Sequence, residues 1–281
     1  MQILPEWFVI FNENHILTKE NRMNTSNGQI RNNRLGVIIL AAGKGTRMKS
    51  EKAKVLHCVH GRPMLSFSIE IARNALAEKI IIVVGHQADV VKANFRDEDL
   101  IFVEQRKQLG TGHAVMQARG PLEDFSGDIL ILCGDVPLLS AETVSHLLES
   151  HAREQSVVTV LTAMLDDPFG YGRIVKTSGG DVLKIVEEKD ASEEEKKIKE
   201  FNSGIYCVES SFLLQAVGEI KDDNAQKEYY LTDIIEIACR RNLPVRAVKV
   251  ENVQEILGIN TPEDLRRAED HMAGISRGKE P

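Results

Sequence analysis

Three short stretches of this sequence carry residues that could do chemistry together. The first is Leu40-Ala41-Ala42-Gly43-Lys44-Gly45-Thr46-Arg47-Met48, with Lys54 shortly after it. Glycine lets the backbone bring N–H groups close to a ligand, and the nearby cations suit phosphate oxygens. Two familiar phosphate loops do not fit. A dinucleotide fingerprint needs a third glycine where Met48 stands, and a P-loop needs Gly-Lys-Ser/Thr after four spacers. The second stretch is Gln105-Arg106-Lys107-Gln108-Leu109-Gly110-Thr111-Gly112-His113-Ala114. Amide side chains can meet the donor and acceptor edge of a pyrimidine without adding charge. Backbone N–H groups left open where a helix begins add fixed donors. His113 reads as a structural residue rather than a catalyst. The third is Cys133-Gly134-Asp135-Val136-Pro137, whose carboxylate suits a hard cation beside phosphates. Alone, Asp135 has a lesser alternative as a turn residue or helix cap.

The elements around these stretches indicate where they sit. Residues 35–41 form a continuous apolar run rich in β-branched residues, as in a strand buried on both faces of a parallel sheet. A helix is expected from Arg62, with Pro63 in its first turn and Met64, Phe67, Ile71 and Leu76 at helical spacing. Strands follow at 79–84, 100–103, 128–133 and 156–164, with helices at 89–95, from about Thr111, and at 141–152. This alternation predicts an α/β, Rossmann-like fold with right-handed crossovers and a mostly parallel central sheet. Ligands bind such sheets at the carboxyl ends of the strands, where all three stretches fall. Segments 173–176 and 182–185 predict a hairpin turned at Gly179-Gly180, part of a smaller lobe. Acids before bases over 193–200 predict a solvated helix, and 212–217 and Ile234-Ile235 belong to the core.

Composition bounds the rest. The chain has 281 residues, enough at 42% hydrophobic content for one large α/β domain. A net charge of −7 argues against a nucleic-acid surface but leaves room for small phosphorylated ligands. The four cysteines, Cys58, Cys133, Cys207 and Cys239, form no C-x-x-C pair, which fits reduced thiols in a cytoplasmic protein. No run reaches transmembrane length, so no membrane role is expected. Residues 1–34 are rich in asparagine and poor in apolar periodicity, and read as a disordered extension ahead of one domain over 35–281.

The first stretch resembles the L-A-A-G-x-G-T-R-M signature of nucleotide-sugar pyrophosphorylases, and the second their uridine-reading segment. From Leu35 to about His271 the chain is similar to the uridylyltransferase domain of the bacterial UDP-N-acetylglucosamine pyrophosphorylase family. The motifs carrying this are Leu40–Gly43, Lys54-Val55-Leu56-His57, Gly110-Thr111-Gly112-His113, Gly134-Asp135-Val136-Pro137 and Gly170-Tyr171-Gly172-Arg173. Further motifs are Ile185-Val186-Glu187-Glu188-Lys189-Asp190, Asn202-Ser203-Gly204, Glu228-Tyr229-Tyr230-Leu231-Thr232-Asp233 and Gly258-Ile259-Asn260.

The resemblance implies transfer of UMP from UTP to N-acetylglucosamine-1-phosphate with Mg2+. It implies nucleotide contacts from Leu40, Ala41, Ala42, Gly43, Gly45, Gln105, Gln108, Gly110, Thr111 and Gly134. Arg47 and Lys54 would hold the phosphates, and Asp135 and Asn260 the magnesium. Gly172, Glu187 and Asn202 would touch the amino sugar, with Tyr229 and Tyr230 walling its pocket. Cys133 departs from the tyrosine usual at that position. Bifunctional members continue into a left-handed β-helix that acetylates and trimerises. This sequence shows no hexapeptide turns, so neither acetylation nor trimerisation is expected, and a monomer or weak oligomer is. Rival readings are a nucleotidyltransferase for another NTP or sugar phosphate, such as N-acetylgalactosamine-1-phosphate or glucose-1-phosphate, or a non-catalytic nucleotide-sugar sensor on the same fold. Starting the chain at Met23 should leave activity and melting temperature nearly unchanged. A large loss of either would show that Trp7 and Phe8 support the core.

Overall fold

The computed structural model describes residues 34–277. The extension expected over residues 1–34 therefore lies, apart from Arg34, outside the described residues. In chain order the strands are β1 (Leu35–Ala41), β2 (Cys58–Val59), β3 (Arg62–Pro63), β4 (Lys79–Val84), β5 (Leu100–Glu104) and β6 (Asp128–Cys133). They continue as β7 (Val158–Met164), β8 (Arg173–Lys176), β9 (Val182–Val186), β10 (Glu200–Glu209) and β11 (Val245–Lys249). The helices are α1 (Met64–Asn74), α2 (Ala88–Asn94), α3 (Thr111–Met116), α4 (Arg119–Leu122) and α5 (Ala141–Arg153). After them come α6 (Glu193–Lys196), α7 (Ser210–Ala216), α8 (Asp233–Arg240) and α9 (Pro262–Arg277).

The main sheet runs β11-β7-β10-β6-β1-β4-β5. β1 pairs in parallel with β4 on one side and β6 on the other, and β4 with β5. Strand alternation sends Val37, Ile39 and Ala41 to one face and Ile38 to the other. The first face packs α1 and α5 through Leu65, Ile69, Val144 and Leu147. The second packs α3, α7 and α8 through Ala114, Val115, Phe212, Leu213, Ile234 and Ile235. Each fully buried isoleucine of β1 contributes about 1.5–3 kcal/mol. The α/β fold with a mostly parallel sheet is thus the one expected. No helix among the described residues is long and apolar enough to cross a membrane.

Three local expectations are corrected. The helix expected from Arg62 begins only at Met64, because Arg62–Pro63 pairs with Cys58–Val59 in a hairpin. His60 and Gly61, with φ of 46° and 76°, make a turn of the hand that suits adjacent strands. The charged helix expected over 193–200 stops at Lys196, closed at its start by a Ser192–Glu195 capping box. Glu200 already pairs with Met164 in β10. That strand is absent from the sequence reading. It runs antiparallel between β6 and β7 and also meets β8. Ser203 and Gly204 break its alternation, with a register shift between Asn202 and Tyr206. The β8–β9 hairpin, turned at Gly179-Gly180, hangs from its start.

Gly204 shows why β10 can bend there. Its φ is 78°, and a Cβ would lie 3.0 Å from Cys133 Sγ, which donates to the Gly204 carbonyl. Gly204→Ala should cost about 1–2 kcal/mol through backbone conformation alone, plus the contact. Repeating it in a Cys133→Ala background should recover only the contact part. Urea unfolding of the four proteins measures both, and full recovery would contradict the backbone assignment.

Candidate active site

The carboxyl ends of β1, β4 and β6 lie side by side, and the loops leaving them gather the polar groups. The Gly134 N–H donates to Leu40 O at 2.9 Å, joining the first and third stretches. Gly45 has a φ of 62°, and a Cβ on it would fall 2.6 Å from Lys54 Cβ. Only glycine lets the loop lie against the lysine. Lys54 is held from below as well: the Ala53 N–H donates to Gln87 Oε1 at 2.8 Å, and Gln87 donates to Glu51 O. Gln87 escaped the sequence reading. It follows the carboxyl end of β4, and the strand-end rule that located the other loops would have pointed to it.

The Lys54 ammonium contacts Asp135 Oδ2 and donates to Asn260 Oδ1 at 2.7 Å. Arg47 Nη2 donates to the same Asn260 oxygen at 2.8 Å. The Ile259 N–H donates to Asp135 O at 2.9 Å, tying the two acceptor loops together. The Asp264 carboxylate accepts from the N–H groups of Asn260 and Thr261 at 3.0 and 2.9 Å, which aims Asn260 from the start of α9. Asp264 is a positioning residue that no motif announced. The carboxylate of Asp135 and the amide oxygen of Asn260 converge on one positive charge. That is the hard-oxygen donor set a divalent cation takes. Tyr171, part of the Gly170–Arg173 motif but given no role by it, shares this field: burial raises its phenol pKa, as do the charges of Asp264 and Asp135, against Arg47.

The second stretch is braced by the chain around Tyr229. The Tyr229 N–H donates to Leu109 O at 2.8 Å, and the Gly112 N–H donates to Tyr229 O at 2.7 Å. Thr111 Oγ1 accepts from the Leu231 N–H at 3.1 Å. Gly110, at φ 105°, leaves no room for a side chain, since a Cβ would lie 2.6 Å from Tyr229 O. Gln105 is buried, and its Nε2 donates to Gly110 O and His113 Nδ1 at 2.9 and 3.0 Å. Gln108 Nε2 donates to Gln105 O at 2.9 Å. Both N–H donors of Gln105 and one of Gln108 are therefore engaged within the fold, leaving the side-chain oxygens as the acceptors on offer. His113, whose pKa burial lowers, orients Gln105.

Gly172, Glu187 and Asn202 also meet, from just before β8, just after β9 and within β10. A Cβ on Gly172 would lie 3.4 Å from Glu187 Oε2 and 3.6 Å from Asn202 Cβ, and the Asn202 N–H donates to Gly172 O at 2.9 Å. Asn202 Oδ1 accepts from the Gly204 N–H and the Tyr206 hydroxyl at 3.0 and 2.9 Å. This fixes the amide with Nδ2 as its outward donor. Burial raises the Glu187 pKa against the hydrogen bond from Thr232 Oγ1, and Asp233, Asp190 and Glu228 push the same way. The two tyrosines diverge. Tyr230 donates to Asp190 Oδ2 at 3.1 Å, and its pKa is pushed up to about 12 by burial first. The Tyr229 ring lies instead beside His113, with centroids 6.2 Å apart. The two rings thus have different neighbours, Asp190 for Tyr230 and His113 for Tyr229. Cys133 stays a thiol, its pKa pushed up to about 12 by burial and then by Asp135.

A family model described as a MobA-like NTP transferase domain matches residues 37–187. The chain belongs to this family. The MobA-like NTP transferase match spans the Arg47, Lys54 and Asp135 loops and ends at Glu187. Curated relatives extend it. The bifunctional protein GlmU of Geotalea daltonii is 51% identical over 236 residues, covering 84% of this chain and 52% of that protein. The protein of the same name from Trichlorobacter lovleyi is 52% identical over 82% of this chain and 50% of its own length. That from Desulfotalea psychrophila is 43% identical over 85% and 71%. The chain spans about half the length of the first two. These relatives agree with the pyrophosphorylase resemblance drawn from the motifs.

Glu187 yields a prediction with a definite sign. Its folded-state pKa lies above the unfolded one, so the ionised carboxyl destabilises the folded state once pH rises past the ordinary glutamate range. Glu187→Gln should melt higher than the wild type near pH 8 and approach it below about pH 3, where both states hold the proton. A lower melting temperature for the variant at pH 8 would overturn this.

Proposed function

We propose that this chain transfers UMP from UTP to N-acetylglucosamine-1-phosphate and releases pyrophosphate. The observation that carries the reading is the meeting of Lys54, Asp135, Asn260 and Arg47, with the glycine loop lying against Lys54 and a separate Gly172–Glu187–Asn202 cluster formed alongside β10. A phosphate oxygen of the sugar phosphate attacks the α-phosphorus of UTP. The bond between that phosphorus and the bridging oxygen to the β-phosphorus breaks, and pyrophosphate leaves with the charge. A phosphate monoester has its second pKa near ~6, so the nucleophile is ionised at neutral pH and no general base is required. The obstacle is bringing two anions into line while charge grows on the leaving group, which positioned cations and N–H groups relieve. Lys54 and Arg47 supply fixed charge there. A bound Mg2+ held by Asp135 and Asn260 would neutralise phosphate oxygens.

Specificity follows from the donors and acceptors described above. The carbonyl oxygens of Gln105 and Gln108 suit the one ring N–H of uracil, and the backbone N–H groups of Gly110 and Thr111 suit its carbonyls. The outward Asn202 Nδ2 suits a hydroxyl or acetamido oxygen, and the Glu187 carboxylate suits sugar hydroxyls. A site built to hydrogen-bond a group discriminates strongly against analogues lacking it. The substrates are therefore nucleotide and sugar phosphate, with no nucleic-acid or membrane partner, in a cytoplasmic setting.

Pyrophosphate release across a grid of NTPs and sugar-1-phosphates tests the reading. UTP with N-acetylglucosamine-1-phosphate should exceed UTP with glucose-1-phosphate by about 10²-fold in kcat/KM. Equal values would leave only a general sugar-phosphate uridylyltransferase, and no release with any pair would leave a sensor. Asp135→Ala should lower kcat by ~10²-fold or more with the fold intact by circular dichroism. Near-normal turnover at limiting Mg2+ would remove Asp135 from the metal.

A further inference from the structure

Far from the proposed active site, Asp128, His151 and Cys207 bring a carboxylate oxygen, an imidazole nitrogen and a sulfur within 4.8 Å of one another. Strand register explains how. Cys207 of β10 pairs with Leu130 of β6 and with Thr159 of β7. Directly paired residues share a face of the sheet, and so do alternate residues along a strand. Asp128, Leu130, Cys207 and Thr159 therefore all point the same way. α5 covers that face and brings His151 down onto it. Both His151 and Cys207 are fully buried, while the Asp128 side chain keeps 22% exposure and opens the cluster to solvent.

We propose that these three side chains form a second metal site for a thiophilic divalent cation, zinc foremost. The donor set is one thiolate, one imidazole and one carboxylate, which suits zinc and excludes magnesium. A nitrogen and an oxygen each about 2.1 Å from a tetrahedral zinc stand about 3.4 Å apart. His151 Nε2 and Asp128 Oδ1 are separated by 3.4 Å. The other ring nitrogen, Nδ1, lies 2.8 Å from Thr159 Oγ1, the outer hydrogen bond that ordinarily fixes a metal-binding imidazole. Charge also balances, because an ionised Asp128 and an ionised Cys207 cancel a doubly positive ion in a buried site. On binding, the cation takes the sulfur and the thiol proton passes to water through the open side at Asp128.

The site is separate from the phosphate chemistry. Asp128 opens β6 and Asp135 follows its far end, so the two carboxylates stand roughly 20 Å apart at about 3.3 Å per residue. A cation there ties α5 to the β6–β10 pair. Its consequence is stability rather than turnover.

Cobalt serves as the probe, since Co2+ bound to a thiolate shows a charge-transfer band that oxygen ligands do not give. The full chain, stripped of metal and kept in excess Mg2+, should take up one Co2+ with that band, lose it on adding Zn2+, and melt higher with either ion. Cys207→Ala should abolish the band and the melting shift, while Cys133→Ala, the thiol nearest Asp135, should keep both. Asp128→Asn, at a partly exposed position that tolerates the change, should weaken Co2+ uptake by about 10-fold or more. No band in the wild type, a band that survives Cys207→Ala, or unchanged affinity in Asp128→Asn would each overturn the site. The last of these stands even if Cys207→Ala fails to fold. In that event Asp128, His151 and Thr159 form only a hydrogen-bonded brace.

Discussion

The structure depends on a lysine ammonium placed where two oxygen ligands from remote parts of the chain converge. Lys54 reaches Asp135 across 81 positions and Asn260 across 206. The Lys54–Asp135 pair is mostly buried, with 11% and 24% of its side chains exposed, so lost hydration offsets much of its attraction and stability alone does not account for four polar side chains being gathered here. Their arrangement makes sense as preorganised charge: the field is built before any phosphate arrives, so little reorganisation is left for the reaction. Every layer of the fold serves that end. The parallel pairing of β1 with β6 aligns the loops carrying Arg47 and Asp135, Gln87 props the segment before Lys54, and Asp264 aims Asn260.

Much of this was legible in the sequence because buried parallel strands leave a strong signal. The run from Leu35 to Ala41 and the alternation after it were enough for the α/β fold and for locating loops at strand ends. Motif order then brought Arg47, Lys54, Asp135 and Asn260 into one account, and the structure does bring those four together. What escaped are residues acting through geometry. Gln87 and Asp264 sit in ordinary local sequence, Tyr171 and Thr232 sit in motifs that gave them no role, and only the approach of distant segments gives each a partner. The amides of Gln105 and Gln108 were read for their chemistry alone, but hydrogen bonds to Gly110, His113 and the Gln105 carbonyl had already engaged one end of each.

β10 was missed for a different reason. A bulge at Ser203-Gly204 interrupts the period of two on which strand recognition rests, and its first residues follow a charged segment that mimics a helix. The interruption is itself useful, since it turns Asn202 toward Gly172 and Glu187 while Tyr206 remains in the core. The same strand brings Cys207 beside β6 and Thr159, so one irregular element supplies residues at both ends of the sheet.

The position of β10 separates two ideas of a domain. The family match ends at Glu187, yet β6 and β7 do not pair with each other and are joined only through a strand that begins at Glu200. A fragment cut where the match stops would leave one edge of β6 and both edges of β7 unpaired, because β11 is lost along with β10, and such apolar edges are the usual template for pairing between molecules. The inherited module is thus shorter than the cooperative folding unit. During synthesis the same gap opens in time. From Met164 to Glu209 a ribosome takes ~2–9 s at ~5–20 residues per second, and through that interval the facing edges of β6 and β7 lack the strand that pairs with both.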